Sequence, residues 1–255
     1  MTNQTAVSSG KYLRSSRKIK PIQMEIKFIG TGGAFEPQYF NSAAILNFNN
    51  KNFLIDAGFT VYPRLLALNL LFKIDYILIT HLHNDHSGSL ANILLHKYFY
   101  QHGRKFTILY QSEKFKKQLE EFLVIQLKDT AKYVDFAPLE DISGISALDT
   151  FGLHSEGFQT YSFIFEEENE RLVYSGDLGQ TDFLFKHLQT LPACPTTVFH
   201  DITFDSQNKG HAHYTMLQPY QSQFKIFGYH CNPTENPQEN TIPLVANQPN
   251  LIFPG

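Results

Sequence analysis

The chain has 255 residues, 42% of them hydrophobic, enough for one sizeable core and too few for several large domains. Lys and Arg number 21 against 24 Asp and Glu, a formal charge of −3, so no overall basic field draws the molecule to nucleic acid or anionic lipid. Two cysteines, Cys194 and Cys231, exclude a disulfide framework, and no apolar run reaches signal-peptide or membrane-span length. The expectation is a cytoplasmic protein with no membrane partner.

Residues 1–23 carry Lys11, Arg14, Arg17, Lys18 and Lys20 with no acid and no apolar periodicity, which predicts a flexible basic tail ahead of one domain over 24–255. Ile26, Phe28 and Ile29 predict a strand ending at Gly30, Gly32 and Gly33. The runs 43–48 and 52–56 flank Asn49, Asn50 and Lys51, a hairpin by its turn chemistry, and Pro63 opens a helix to Leu71. A β-type run, Ile74 to Thr80, is followed by helical spacing over 89–100 and 112–127, with a strand over 105–110 between them. The second half predicts strands over 144–153, 159–166, 171–174, 197–202 and 224–229, and helices over 181–189 and 214–220. Strands alternating with helices, with hairpins in each half, predict an α/β fold: an αββα sandwich of two mixed β-sheets flanked by helices.

The run Ile74 to Thr80 stops abruptly in His81, His83, Asp85 and His86. Three imidazoles and a carboxylate so close together build a poor core but suit borderline divalent metals, which take neutral imidazole nitrogen and carboxylate oxygen. In an extended segment His81 and His83 point the same way, with Asp85 and His86 just past the turn, so one pair can grip one metal and the next pair a second.

The pattern His-x-His-x-Asp-His-x-Gly resembles the signature of the metallo-β-lactamase-fold hydrolases. Four further positions match that family's order: Asp56 at the end of an apolar strand, His154, Asp177 between glycines, and His230 at the end of the last strand. The resemblance implies one metal on His81, His83 and His154, a second on Asp85, His86 and His230, and Asp177 bridging them, with Asp56 orienting a ligand imidazole from behind. Two such ions clamp the oxygens of a displacement and acidify a shared water. Zinc is the metal expected, with manganese or iron as alternatives. A histidine at position 83, where diiron oxygen-reducing members carry glutamate, argues against that redox branch.

Thr197 to Phe204, followed by Gly210 to Thr215, resembles the ribonuclease Z and phosphodiesterase branch: a strand ending in His-acid-x-Thr-Phe, then a His-x-Thr element whose histidine is a general acid. The resemblance makes Asp85 and His213 the candidate catalytic groups, with His211 the rival proton donor, His200 supporting the ligands, and Gly32, Gly33, His211 and Thr215 candidate substrate contacts. Unlike ribonuclease Z, the chain has no long glycine-rich arm between the third and fourth motifs. Residues 155–176 hold only a hairpin closed by the acidic turn Glu166 to Glu170, which would repel RNA. The expected substrate is therefore a cyclic nucleotide or another small phosphodiester rather than a transfer RNA precursor. The alternatives are a lactonase or carboxyl-ester hydrolase on the same metals, with Tyr214 or another tyrosine polarising the carbonyl, and a sequestering protein that binds a nucleotide without turnover. The helix over 112–127 is expected to cover a sheet, with a lid or homodimer contact as its other possible uses.

Overall fold

The computed structural model describes Met1 and residues 24–254, so the basic stretch expected over 1–23 lies, Met1 apart, outside the described residues. The first sheet holds β1 (Glu25–Gly30), β2 (Ala43–Phe48), β3 (Lys51–Ile55), β4 (Tyr76–Leu78), β5 (Phe106–Tyr110) and β6 (Val134–Pro138), in that spatial order. The second runs β11-β10-β9-β8-β7, built from β7 (Ile145–Asp149), β8 (Tyr161–Glu167), β9 (Glu170–Tyr174), β10 (Thr196–Asp201) and β11 (Lys225–Tyr229). Both sheets are mixed. β1 to β3 and β7 to β9 pair antiparallel, whereas β3 to β6 and β9 to β11 pair parallel.

The β2–β3 hairpin follows from its turn: Asn49 and Asn50 both take positive φ, 50° and 59°, a conformation that asparagine tolerates and a right-twisted two-residue turn requires. Alternation along the strands sends Phe28, Leu46, Phe53, Phe163, Tyr174, Phe199 and Tyr229 inward, so the phenylalanine-rich composition is spent between the sheets. The outer face of the first sheet is covered by α1 (Val61–Ala67), α3 (Leu90–Tyr100) and α4 (Glu113–Leu127), that of the second by α6 (Thr181–Thr190) and α7 (Tyr214–Leu217). In α4, Ser112 Oγ accepts from the Phe115 amide at 3.1 Å, and Phe115, Leu119, Leu123 and Leu127 repeat every four residues on the buried face. This helix covers the sheet, the ordinary use expected of it.

Several boundaries differ from the sequence reading. The run 74–80 is a strand only over Tyr76–Leu78, because its last residues bend into the ligand turn. The first helix starts before Pro63 and ends at Ala67, and 214–220 is one α-turn followed by a 3-10 turn. β6, a short edge strand of mixed polarity ending in Pro138, gave no alternating signal, and neither did the four-residue helices α2 (Asn84–Ser87) and α5 (Thr130–Tyr133). No helix among the described residues is long and apolar enough to cross a membrane.

The parallel strands β3, β4, β9, β10 and β11 all deliver their C-terminal ends to one edge of the sandwich. Asp56, Thr80, Asp177, Asp201 and His230 leave those ends. Asp56 and His230 adopt left-handed backbone, φ 65° and 67°, which turns each side chain sharply out of its strand.

Candidate metal centre

The ligand turn is clamped before any side chain is considered. His86 N donates to the His83 carbonyl (3.0 Å), Ala57 N donates to the His86 carbonyl (2.7 Å), and Ser89 N donates to the Ala57 carbonyl (2.9 Å). Gly58 passes so close to this turn that a Cβ there would overlap the Asp85 carbonyl oxygen.

Hydrogen bonding then fixes which nitrogen of each buried imidazole is bare. Asp56, wholly buried, accepts from Thr80 N (2.8 Å), from Thr80 Oγ1 (3.0 Å) and from His86 Nδ1 (2.8 Å). Since the Thr80 hydroxyl gives its one hydrogen to Asp56, it must receive from His81 Nδ1 at 3.0 Å. His154 Nδ1 donates to the Gly210 carbonyl at 2.7 Å. His81 and His154 therefore each present Nε2 as a lone pair, and His86, whose Nδ1 is committed to Asp56, has only Nε2 left for a proton or a cation.

Those lone pairs converge. His81 Nε2 and His154 Nε2 lie 3.0 and 3.1 Å from His83 Nδ1, which could satisfy at most one of them with a hydrogen. On the other side, His86 Nε2 faces Asp85 Oδ2 (3.3 Å), Asp177 Oδ2 (3.3 Å) and His230 Nε2 (3.2 Å). Asp177 Oδ2 also lies 3.8 Å from His81, 3.7 Å from His154 and 3.6 Å from His230, between the two groups, and its buried Oδ1 has no hydrogen-bond partner. So many acceptors with so few hydrogens are unfavourable in a buried site unless cations lie among them. The residues fit two metal ions: His81, His83 and His154 form one donor group, Asp85, His86, Asp177 and His230 the other.

The charges agree. Burial pushes the His81 and His83 pKa values down, keeping both neutral as ligands must be. Burial opposes the charged form of Asp177 too, but His230, His86 and His211 outweigh it and hold the carboxyl well below its usual range. For His86, burial opposes a proton while Asp177 and Asp56 hold the pKa well above the ordinary value, so a cation at Nε2 would replace that proton.

His211 extends the cluster. With His154 and Asp177 it forms a third group of converging donors, its Nδ1 lying 2.9 Å from Asp201 Oδ2 and 3.9 Å from Asp177 Oδ2. Burial opposes its charge, yet Asp177 and Asp201 raise its pKa to about 9. Asp201 is itself buried and lies 2.8 Å from His200 Nδ1, so His200 backs Asp201 rather than the metal ligands directly.

The comparisons with known proteins accord with this arrangement. The sequence profile of the anti-Pycsar protein Apyc1 family matches residues 24–246. The chain belongs to the Apyc1 family. Anti-Pycsar protein Apyc1 of Bacillus phage BSP38 is 30% identical over 202 residues, covering 71% of this chain and 77% of the phage protein. The Apyc1 of Paenibacillus sp. (strain J14) is 30% identical over 214 residues, covering 76% and 82%. Among solved structures, the metallo-β-lactamase fold protein YhfI from Bacillus subtilis superposes with a TM-score of 0.63 at 15% identity, covering 82% of this chain and 86% of that one. The short form of human tRNase Z superposes at 0.61 and 18% identity, covering 84% and 95%. The fold is thus the metallo-β-lactamase fold.

In this Apyc1-family chain, three of the expected substrate-side residues lie elsewhere. His213 begins the turn into α7, and its Nδ1 meets Thr215 Oγ1 at 2.7 Å; neither residue lines the metal groove. The reason is the backbone pairing with Thr203: Thr203 N donates to the Ala212 carbonyl and Tyr214 N to the Thr203 carbonyl, so the chain is already leaving the site at His213. Gly32 cannot offer its amide to a phosphate, because that N–H donates to the Phe40 carbonyl at 2.8 Å. Gly33 does line the groove, where a Cβ would come within 3.2 Å of His230 Cε1, so its bareness gives that imidazole room. Tyr214 is not among the lining residues. The sequence reading passed over Thr80, directly before His81, and left Asp201, the acid of the His-acid-x-Thr-Phe element, without a role of its own. Thr80 was legible only as a polar residue at a strand end.

Proposed function

We propose that this protein is a dinuclear metal phosphodiesterase, with zinc in both sites, that hydrolyses a cyclic nucleotide. When bound, the two ions supply an acidified water and positive charge for the phosphate oxygens. Asp85 is a ligand that also faces the groove. Burial works against its charge, but hydrogen bonds from His230 and His86 lower its pKa, so it is an ionised acceptor ready to orient the attacking water. His211 is the proton donor. Its ring stands beside Asp177, and Asp201 both orients it and favours its charged form. As the new phosphorus–oxygen bond forms and the ring ester bond breaks, the His211 proton goes to the departing ribose oxygen.

The observation that carries this reading is His211, hydrogen-bonded to the buried Asp201 and standing next to a two-cluster metal-donor set, within a family whose members are named for opposing Pycsar. An ester hydrolase would be better served by a carbonyl-polarising tyrosine, which the groove does not contain among the described residues.

The test is hydrolysis of bis(p-nitrophenyl) phosphate and of 3′,5′-cyclic nucleotides by zinc-loaded protein, with chelated and His83→Ala samples alongside. Turnover lost in both controls is the result expected. Absence of turnover in protein shown to hold two zinc ions per chain would refute the proposal, and tight nucleotide binding without product would establish the sequestering alternative.

A further inference from the structure

Each ligand imidazole needs something to hold its plane, because χ2 of histidine is a broad torsion with no sharp preference of its own. His81, His86 and His154 are held through their Nδ1 atoms, by Thr80, Asp56 and the Gly210 carbonyl respectively. His230 stacks on the rings of His86 and His211. His83 is set the other way round. Its Nδ1 is the atom turned toward His81 and His154, and its Nε2 has no hydrogen-bond partner among the described residues. A histidine that ligates through Nδ1 carries its hydrogen on Nε2, and here no described protein group fixes that hydrogen or the ring that bears it.

What meets His83 instead is an aromatic face. The half-buried Phe158 lies over it with ring centroids 4.2 Å apart and planes 28° from parallel, and it meets His81 edge-on at 6.0 Å and 84°. Phe158 does not line the groove, so it supports His83 from outside the space a substrate would occupy. The loop between β7 and β8 delivers it. Thr150 N donates to the Thr160 carbonyl, Gly152 N to the Phe158 carbonyl and Phe158 N to the Ser155 carbonyl, each at 3.0 Å. Gly157, at φ 70°, makes the bend just before the ring. The same closed loop carries His154, so one segment supplies one ligand of the first donor group and a brace for another.

Resting on the dinuclear zinc centre of the reading above, we propose that Phe158 is a positioning residue: its ring fixes the plane of His83 and so sets the zinc affinity of the group His81, His83 and His154 without affecting the other group. Rotation about χ2 of His83 would drive one ring edge into Phe158 at so short a separation, so the stacked orientation is the one retained. Zinc strengthens the contact. An imidazole that gives its lone pair to a cation loses charge from its ring, and an electron-poor ring stacks better on the negative face of phenylalanine. The contact is therefore worth more in the loaded protein than in the bare one, which is the condition for it to raise affinity.

Stepwise zinc affinities of the full chain, read by competition against a chromogenic chelator, test this without any substrate. Phe158→Ala should weaken one of two binding steps roughly tenfold and leave the other within about threefold of the parent. Phe158→Tyr should restore the weakened step, whereas Phe158→Leu, which keeps apolar bulk without a flat face, should resemble the alanine variant. Circular dichroism shows which variants fold, and if alanine does not, leucine against tyrosine makes the same comparison. A double-mutant cycle separates positioning from general loosening: once His83→Ala is in place, adding Phe158→Ala should change zinc affinity little further. Leucine serving as well as phenylalanine, equal losses in both steps, or an additive cycle overturns the inference even if the protein proves to be a dinuclear phosphodiesterase. A parent chain that holds no zinc defeats both this inference and the dinuclear reading, an outcome visible before any Phe158 variant is compared.

Discussion

Replacing Asp56 with asparagine tests whether this carboxylate decides which His86 nitrogen is bare. Asparagine keeps the shape and tolerates the left-handed backbone at φ 65°, so the substitution isolates hydrogen-bond chemistry from strain. Asp56 receives three donors, two from Thr80 and one from His86, and the Thr80 amide is a donor that cannot reverse. The single amide oxygen of asparagine must stay on Thr80 N, which turns its NH2 group toward His86 Nδ1 at a contact now 2.8 Å long. His86 then accepts at Nδ1 and carries its proton on Nε2, the atom that faces Asp85, Asp177 and His230. Baring Nε2 again costs about 1.5–3 kcal/mol, the worth of a buried hydrogen bond to a charged group, so affinity at that site should fall on the order of 10- to 100-fold. Competition against a chromogenic chelator measures this, with circular dichroism confirming that the variant folds. Affinity within threefold of the parent in a folded variant would show that Asp56 does not set the tautomer.

Other perturbations separate the remaining roles. His211→Ala should retain both metals and lose roughly 10²- to 10⁴-fold in kcat, read by metal analysis beside turnover. Asp201→Asn removes a negative charge that raises the His211 pKa; because the protonated ring is the active form, the alkaline fall in activity should begin at lower pH than in the parent, and an unmoved pH profile would dismiss His211 as the acid. Gly58→Ala removes no ligand, but its methyl group would displace the Asp85 carbonyl, so metal content after dialysis should drop; full occupancy would show that the turn can yield. Leu123→Ala, wholly buried under the first sheet and remote from the ligands, should cost about 2–5 kcal/mol in urea unfolding while leaving the metal stoichiometry intact.

How much of the site could be read along the chain depended on how local each residue's partners are. His81, His83, Asp85 and His86 lie within a few residues of each other, and imidazoles and a carboxylate packed so densely at a strand end serve metal binding far better than they serve a core or a cap. Asp56, His154, Asp177 and His230 carry no local signal of their own; only their order against the family pattern singled them out. His211 and His213 show the limit of that approach. Two residues apart in one short motif, they are indistinguishable by residue type: the sequence reading put His213 first as proton donor with His211 as its rival, and His211 is the one that lies in a group of converging donors. The decision lies in the backbone pairing of Thr203 with Ala212 and Tyr214, a contact made across ten residues.

By itself the sequence determined the fold class and the ligand turn, because alternation, hairpin chemistry and a cluster of metal-binding side chains are all set by near neighbours. What only the tertiary structure decided is which atoms face each other. Thr80 and Asp201 became part of the site because strand ends from both sheets meet at one edge, and a hydrogen on a Thr80 hydroxyl or a carbonyl of Gly210 settles the protonation of an imidazole from another part of the chain. Likewise Gly32 and Gly33 were alike in the sequence as candidate substrate contacts, and only the fold shows the amide of one already bonded and the other making room for His230. Whether a group is free to bind depends on what it already touches, and that is fixed by packing between distant segments.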